Sequence, residues 1–332
     1  MLLRRLMSKR IFLILLIIYC CHKFPTNIDT DNKIAFEGKN GIYLVDLMGN
    51  ITKLTSNRLD YLKGWLPDGK GIIYFSERNG KTYLYSLDLT VPKERKLIPF
   101  GSKYGVTCLT TSFIFISDSL ILYQGYYRGD FNVYNIETDQ ARELFYVESI
   151  GLKRIYNISF HHQDKIIIFT GLDTSRYNEV YAHRPFDFEK EKNYKEIYRI
   201  NLDMTDFQQL TFNDWCDDDP AISPNGKYIA FASNRDGDFE IYVMDIDGKN
   251  IRQLTHSNGD DRHPTWSPDG EMIAYDSRSG FYREIWVMNS DGTNNRPLVQ
   301  KPGEYCYKPM WSPKKLGGHD GYQRRTKEKD ES

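Results

Sequence analysis

Short apolar runs recur along the chain with a regular period. In the clearest copies, 44 residues separate Ile229 from Ile273, and the run Ile273-Ala-Tyr275 is followed by the run Glu284-Ile-Trp-Val-Met288. Apolar runs of this length, separated by turn residues, are typical of antiparallel β-strands joined by hairpins. A repeat of this period indicates an architecture built from several similar units.

The apolar pattern predicts six such units, each with a recognisable second and third strand. The second strands are predicted at Ile34-Ala-Phe36, Ile72-Ile-Tyr-Phe75, Ile121-Leu-Tyr123, Ile166-Ile-Ile-Phe169, Ile229-Ala-Phe231 and Ile273-Ala-Tyr275. The third strands are predicted at Ile42–Asp46, Tyr83–Asp88, Phe131–Tyr134, Ile197–Ile200, Ile241–Asp245 and Ile285–Met288. Pairs such as Asn79-Gly80 between them accept the positive φ that a short hairpin requires. The additional residues of the fourth unit are predicted to form a long loop over 174–195.

The two ends of the repeat region complement each other. The first unit begins at its second strand, Ile34-Ala-Phe36, whereas Pro309-Met-Trp-Ser-Pro313 is a first strand with no later strands after it. Four-stranded sheets placed around an axis can bury both of their faces and leave only short edges. The sequence therefore predicts an all-β fold: a six-bladed β-propeller over residues 33–313, closed by a C-terminal strand that completes the first blade.

The best preserved units also resemble a known repeat. The matching stretches are Trp266-Ser-Pro-Asp-Gly270, Ile273-Ala-Tyr275, Asp276-Ser-Arg278 and Glu284-Ile-Trp-Val-Met288, with a weaker copy at Trp65-Leu-Pro-Asp-Gly69. They resemble the WD40-like repeat called PD40, from which TolB-type β-propellers are built. This resemblance implies an exported protein that binds other proteins at the cell envelope, as TolB does in the Tol-Pal system of Gram-negative bacteria. It extends to the TolB propeller and not to the α/β domain that precedes it in TolB, because the first predicted blade begins at Ile34.

The N-terminal segment 1–21 predicts export. Four basic residues precede the apolar run 11–19, which is shorter than a comfortable membrane span. Cys20 and Cys21 follow this run as a cysteine does in a bacterial lipoprotein signal, and they are the candidate lipidation sites. An uncleaved signal anchor is the alternative. We expect a periplasmic or cell-surface protein that contacts the membrane only through this segment.

Composition narrows the classes of function. Of the 332 residues, 40% are hydrophobic and 14% are aromatic, which suits a packed β-rich domain. Because 44 basic residues nearly balance 45 acidic ones, the chain lacks the positive charge that nucleic-acid binding requires. We expect a monomer, followed by a disordered polar tail over 314–332.

Motifs for chemistry are scarce in the sequence. It contains no Gly-x-Ser-x-Gly nucleophile elbow, no phosphate-binding glycine loop and no His-Glu-x-x-His metal motif. Oligogalacturonate lyases carry a metal on histidines inside a similar propeller, but here only His263 lies on a predicted first strand. We therefore assign no catalytic residue, no metal site and no cofactor, and expect a binding module. The alternative is a polysaccharide lyase or hydrolase that works in the propeller channel.

Charged residues near two predicted first strands are the candidate binding site. They are Asp217, Asp218, Asp219, Asp260, Asp261, Arg262 and His263. We expect the aspartates to lie in loops between blades, on the face where those loops emerge, and Asp219 and His263 to border the channel. The partner is expected to be an envelope protein or a glycan. A calcium ion at the channel mouth is possible but not favoured, because Asp-Gly turns explain most acidic residues.

Three cysteines fall within the repeat region: Cys108, Cys216 and Cys306. Cys216 and Cys306 lie in similar places two blades apart, too far for the Cα separation of about 7 Å that a disulfide allows. We expect free, buried thiols.

Overall fold

The computed structural model describes residues 32–91, 93–98, 112–124, 130–138, 140–175, 194–300 and 305–313. The predicted export signal with Cys20 and Cys21, the polar tail over 314–332, Cys108 and most of the 174–195 loop lie outside these residues. Within the described residues, no helix combines the length and the apolar character needed to cross a bilayer.

The described residues form six antiparallel sheets of four strands each, and these sheets are the blades of a propeller. Blade 1 consists of β1 (Ile34–Gly38), β2 (Gly41–Val45), β3 (Ile51–Lys53) and β24 (Tyr307–Trp311). Blade 2 consists of β4 (Asp60–Trp65), β5 (Gly71–Arg78), β6 (Lys81–Asp88) and β7 (Lys93–Ile98). Blade 3 consists of β8 (Phe113–Phe115), β9 (Leu120–Gln124), β10 (Phe131–Asn135) and β11 (Gln140–Phe145).

The remaining strands form three further blades. Blade 4 follows a 3-10 helix at Val147–Ile150 and consists of β12 (Leu152–His161), β13 (Ile166–Asp173), β14 (Glu196–Asn201) and β15 (Gln208–Gln209). Blade 5 consists of β16 (Asp217–Ile222), β17 (Tyr228–Ser233), β18 (Glu240–Asp245) and β19 (Arg252–Gln253). Blade 6 consists of β20 (Asp261–Trp266), β21 (Met272–Ser279), β22 (Tyr282–Asn289) and β23 (Arg296–Val299). All six second strands and all six third strands occur where the apolar pattern predicts them.

The hydrophobic core lies between the blades. Six apolar clusters are present among the described residues, and each combines side chains from two consecutive blades. In the cluster between blades 6 and 1, for example, Ile285 and Val287 pack with Ile34 and Phe36. Each large apolar side chain buried in this way stabilises the fold by about 1.5–3 kcal/mol. Every blade therefore depends on both of its neighbours for its core.

The tryptophan of the Trp-x-Pro-Asp-Gly motif joins one blade to the preceding one. The indole Nε1 of Trp65 donates a hydrogen bond of 2.9 Å to the carbonyl of Met310, and that of Trp266 donates one of 3.0 Å to the carbonyl of Ala221. Each acceptor lies on the first strand of the preceding blade. The motif thus supplies an inter-blade bond in addition to a turn.

Pairing between the two ends closes the ring, as the sequence predicts. Strand β24 is antiparallel to β1, with Ile34 opposite Trp311 and Ala35 opposite Met310. The Ser312 hydroxyl accepts a further hydrogen bond of 3.2 Å from the backbone amide of Lys33. Without β24, blade 1 would have only three strands. Closure therefore removes the unpaired edge that β1 would otherwise expose.

The hairpin and cysteine predictions are also confirmed. Asn79 and Gly80 have φ of 55° and 71°, the left-handed conformation expected for a two-residue hairpin turn. Cys216 and Cys306 are both buried, and neither is part of a disulfide.

Removing the closing strand should destabilise the whole ring. We expect deletion of residues 307–332 to lower the Tm by at least about 10 °C and to make the chain sensitive to limited proteolysis, because blade 1 and its core are both left incomplete. Deletion of residues 314–332 alone is the matched control and should leave the Tm unchanged. Equal Tm values for the two truncated chains would contradict this account of closure.

Candidate functional site

The candidate residues belong to one end of the propeller. The hairpins between the second and third strands of each blade emerge there, together with the connections that lead to the next blade. We call this end the connection face; it includes Asn79-Gly80, Gly280-Phe281 and the connection 212–216. The other end, the opposite face, carries turns such as Ser223–Gly226.

The prediction that the aspartates lie in inter-blade loops is wrong for all of them except Asp260. Asp217, Asp218 and Asp219 form the start of β16, and Asp261 is the first residue of β20. The strand ladder extends to these positions because Asp217 lies opposite Ser233, and Asp261 lies opposite Ser277. Their side chains are buried: Asp217 is 0% and Asp261 is 1% exposed. Asp260 directly precedes β20 and is half-buried.

Asp218 lies at the centre of a buried ionic network. Its carboxylate accepts hydrogen bonds of 3.0 Å each from Lys195 Nζ and Arg262 Nη2, and others from Asn157 (2.8 Å) and Thr170 (3.0 Å). Burial alone would raise the pKa of Asp218, but the ammonium of Lys195 and the guanidinium of Arg262 hold it well below its usual range. Asp218 is therefore a carboxylate whose charge is fully compensated.

Arg262 extends the network from blade 6 to a second carboxylate of blade 5. Its Nε donates to Asp219 over 3.1 Å, and its guanidinium stacks on the ring of Phe239 at 3.9 Å from the centroid. Nε2 of His263 lies 3.8 Å from Asp219, beyond hydrogen-bond distance. Arg262 is thus held by two carboxylates and one aromatic face.

Asp276 continues the network from blade 6 to the closing strand. It bonds Nδ1 of His263 over 2.7 Å, accepts from the backbone amide of Lys308 over 3.0 Å, and pairs with Arg283. Burial opposes ionisation, but His263 and Arg283 lower the pKa of Asp276 below its ordinary value. These hydrogen bonds and ion pairs therefore join blade 4 to blade 5 at Asp218, blade 5 to blade 6 at Arg262, and blade 6 to blade 1 at Asp276.

Three consecutive blades carry a strained residue beside this network. Asp219, His263 and Lys308 have φ of 54°, 52° and 53°, and each precedes a proline. Non-glycine residues rarely adopt this left-handed conformation, and a following proline restricts the backbone further. The strand ladder shifts register at Asp218 to Ala221 and again at Arg262 to Thr265. The strain is part of the bulge that directs these side chains toward the neighbouring blade.

Asp261 and Asp217 occupy equivalent places but have different partners. Arg235 donates from Nη2 to both oxygens of Asp217, at 3.0 Å each. In blade 6 the corresponding position holds Ser279, and no hydrogen bond of normal geometry reaches either oxygen of Asp261 from the described residues.

Asp261 interacts with a second carboxyl, that of Glu240. Burial raises the pKa of Asp261. Burial also raises the pKa of Glu240 to about 7, although hydrogen bonds from the Thr255 hydroxyl and the Ser257 amide partly oppose the shift. Two buried carboxyls without a cation cannot both ionise at low cost. The pair therefore retains a proton in the folded protein at mildly acidic pH.

Sequence reasoning missed the exposed aromatic residues of the connection face. Seven aromatic side chains are exposed among the described residues, and six of them lie on this face. They are Tyr146, Phe212, Trp215, Phe281, Tyr282 and Tyr305. Tyr228, the seventh, lies on the opposite face. Large aromatic residues at connections and hairpin tips, where small turn residues are usual, are the sequence feature that could have indicated them.

Metal ligation is not indicated by the described part of the chain. Within it, no three His, Cys, Asp or Glu side chains converge in a way that could hold a metal ion. The acidic residues of the network instead face Lys195, Arg262 and Arg283.

Residues 188–315 match the PD40 family, described as the TolB beta propeller domain. This segment includes blades 5 and 6 and the closing strand, and the match confirms the resemblance found in the sequence. No curated protein matches the chain by sequence.

Solved structures with the same fold include two TolB proteins. TolB from Acinetobacter baumannii is 22% identical, with a TM-score of 0.65 over 90% of this chain and 70% of that one. A putative TolB from Agrobacterium tumefaciens is 19% identical, with a TM-score of 0.58 over 83% of this chain and 97% of that one. Oligogalacturonate lyase from Vibrio parahaemolyticus is 15% identical, with a TM-score of 0.54 over 84% and 73%. At these identities the likeness shows the fold alone.

Loss of the Asp218 carboxylate should destabilise the whole fold, because this carboxylate lies at the centre of the buried network. We expect Asp218→Ala to lower the free energy of unfolding by about 3–5 kcal/mol, because Lys195 and Arg262 are left buried without their shared partner. Denaturation with urea measures the change. Asp247→Ala removes an exposed carboxylate that pairs with Lys249 and should leave the urea midpoint unchanged. A small effect of Asp218→Ala would contradict the proposed importance of the network.

The carboxyl pair should make stability depend on pH. The pKa of Glu240 is raised from 4.5 to about 7. The stabilisation from its proton is therefore complete below pH 4.5 and is lost as the pH rises through about 7. Asp261→Asn should remove the part of this loss that the charge of Asp261 causes, while the part due to burial of Glu240 remains, so that the variant exceeds the wild type by about 1–2 kcal/mol at pH 8 and by less at pH 5.

Urea unfolding at the two pH values checks this, with Asp217→Asn as the control. That variant breaks the pair with Arg235 and should be destabilised at both pH values. A loss of stability in Asp261→Asn that is the same at pH 5 and pH 8 would contradict the shared-proton account.

Proposed function

We propose that the protein is an exported, non-catalytic β-propeller that binds an envelope protein through its connection face. The observation that carries this proposal is the concentration of exposed aromatic side chains on that face. Phe281 is 83% and Phe212 is 74% exposed, although burial of each ring would contribute about 1.5–3 kcal/mol. Aromatic residues that remain in water on one face of a folded protein are typical of protein-binding surfaces.

The buried network supports such a surface from below. It joins blades 4, 5, 6 and 1 beside the connections, and it fixes the side chains of Arg262 and His263. Their side chains are 20% and 26% exposed, whereas the aspartates that hold them are buried. Among the charged residues predicted as the binding site, Arg262, His263 and Asp260 can reach a partner, and Asp218 and Asp219 hold Arg262 in place.

Export is supported by the N-terminal pattern and by the fold. The basic and apolar regions in 1–21 resemble an export signal, with Cys20 and Cys21 as candidate lipidation sites. The PD40 match and the similarity to TolB structures agree with work at the cell envelope. We propose a periplasmic or cell-surface location, with membrane contact limited to the N-terminal segment, and a monomeric protein.

Catalysis in the channel is the less favoured alternative. The fold of an oligogalacturonate lyase is similar, but Asp218 and Asp276 are buried and paired with cations, and Glu240 and Asp261 are each only 1% exposed. A general acid or base must reach its substrate and exchange a proton near neutral pH. Asp218 and Asp276 have lowered pKa values and buried oxygens, which suits a structural role.

Changes to the connection face should abolish capture of the partner. We expect an envelope protein that is captured by the wild-type chain to be lost with Phe212→Ser/Trp215→Ser and retained with the opposite-face variant Tyr228→Ser. Quantitative mass spectrometry of affinity captures from the source envelope provides the measurement, and circular dichroism checks that each variant folds. Capture of the same protein by the double variant at the wild-type level would contradict the proposal.

A further inference from the structure

An open cleft of about 140 Å³ lies on the connection face of blade 6. Five side chains line it: Arg278, Phe281, Tyr282, Arg283 and Tyr305. The hairpin between β21 and β22 supplies four of them, and the connection to β24 supplies Tyr305. Tyr305 is fixed against the hairpin, because it forms a parallel bridge with Arg283 and the Cys306 amide donates to the Arg283 carbonyl over 3.0 Å. The two walls of the cleft are therefore held together by backbone contacts.

The two arginines of the cleft have different roles. Arg283 pairs with the buried Asp276 and is only 20% exposed, so it belongs to the inter-blade network. Arg278 is 54% exposed; its Nε donates to the Gly280 carbonyl over 3.2 Å, and its Nη1 lies 3.6 Å from Asp260. That distance is longer than a hydrogen bond. Among the described residues, Nη2 of Arg278 has no partner, and Nη1 has only the long, exposed ion pair with Asp260, so a ligand carboxylate can bind Nη2 and compete with Asp260 for Nη1.

Three aromatic rings complete the cleft. Phe281, Tyr282 and Tyr305 are exposed, and neither tyrosine hydroxyl has a hydrogen-bond partner among the described residues. The cleft thus combines apolar ring surface with a guanidinium and two hydroxyls that can donate. A ligand that matches it carries a carboxylate next to an apolar group, because a guanidinium binds a carboxylate with paired, charge-assisted hydrogen bonds.

Peptides fit this chemistry better than glycans do. A sugar presents many hydroxyl groups, which need acceptors as well as donors. No carboxylate or amide side chain is part of the cleft lining, and Phe281, its most exposed member, has no polar atom. An acidic peptide with an aromatic or aliphatic neighbour supplies acceptors for Arg278 and a side chain for the rings.

We infer that the cleft formed by Arg278, Phe281, Tyr282, Arg283 and Tyr305 binds a short acidic peptide segment in which an apolar side chain lies next to a carboxylate. This inference rests on the proposed function, since it assigns the kind of protein segment that the connection face recognises. Arg278 binds the carboxylate, and Phe281 with the two tyrosines contacts the apolar side chain.

Fluorescence anisotropy with two labelled peptides tests the inference on the full chain. The probe is fluorescein-labelled Glu-Phe-Asp-Leu-Glu, and its matched neutral peptide is Gln-Phe-Asn-Leu-Gln. We expect the neutral peptide to bind at least about tenfold more weakly, and Arg278→Gln and Phe281→Ala each to weaken binding of the acidic peptide about tenfold. Both changes are at exposed positions and should leave the Tm unchanged. Arg252→Gln and Tyr228→Ala place the same kinds of change on the opposite face and should leave the affinity within about twofold.

Several results would overturn the inference. The inference fails if the acidic peptide does not bind at about 1 mM protein. It also fails if the two peptides bind equally well, or if both cleft variants bind the acidic peptide with unchanged affinity. Binding of trigalacturonate with loss in the same variants, without binding of the peptide, would reassign the cleft to a glycan. The two proposals can fail separately. If Phe212→Ser/Trp215→Ser abolishes capture of the envelope partner, the proposed function stands. If the cleft variants nevertheless bind the peptide as the wild type does, the peptide cleft is contradicted.

Discussion

Closure of the ring by β24 against β1 is the constraint on which the rest of the structure depends. Because each apolar cluster is shared by two consecutive blades, no blade has a core of its own, and the six clusters are complete only when blades 6 and 1 meet. The motif tryptophans reinforce this dependence, since Trp65 bonds the closing strand itself. A ring held in this way presents its inter-blade connections at fixed positions, which is the property a recognition surface needs.

Within this ring, one repeated position has diverged in chemistry from blade to blade. The residue five places before the motif tryptophan is Asp60 in blade 2, Asp261 in blade 6 and Cys306 in the closing strand, and Asp217 has the same place in blade 5. Asp217 is neutralised by Arg235, Asp261 faces the carboxyl of Glu240, and Cys306 needs no counter-charge. The same backbone therefore holds an ion pair, a shared proton or an uncharged thiol. Because the backbone accepts each of these side chains, the apolar residues of the repeat recur from blade to blade while the residue at this position differs.

The fold could be predicted from the sequence because the apolar period and the complementary ends depend on local pattern alone. Burial of Asp217, Asp218 and Asp261 could not, since consecutive aspartates between two repeat units indicate a solvated loop until the strand register is known. The partners of Asp218, namely Asn157, Lys195 and Arg262, come from blades 4 and 6, and no sequence spacing indicates that they meet. The exposed aromatics were missed for the converse reason: in a chain rich in tyrosine and phenylalanine, side chains that stay in water cannot be told from those that pack between blades.

The proposed function requires that the connection face, and not the opposite face, contacts a protein partner. Photocrosslinking in intact cells, with benzoylphenylalanine placed at Trp215, Phe281, Tyr228 or Ile251, tests it most directly. All four positions are exposed, and two lie on each face. We expect benzoylphenylalanine at position 215 or 281 to crosslink to the same envelope protein, and benzoylphenylalanine at position 228 or 251 to give no such crosslink. Crosslinks to one protein from Tyr228 and Ile251, with none from Trp215 and Phe281, would contradict it.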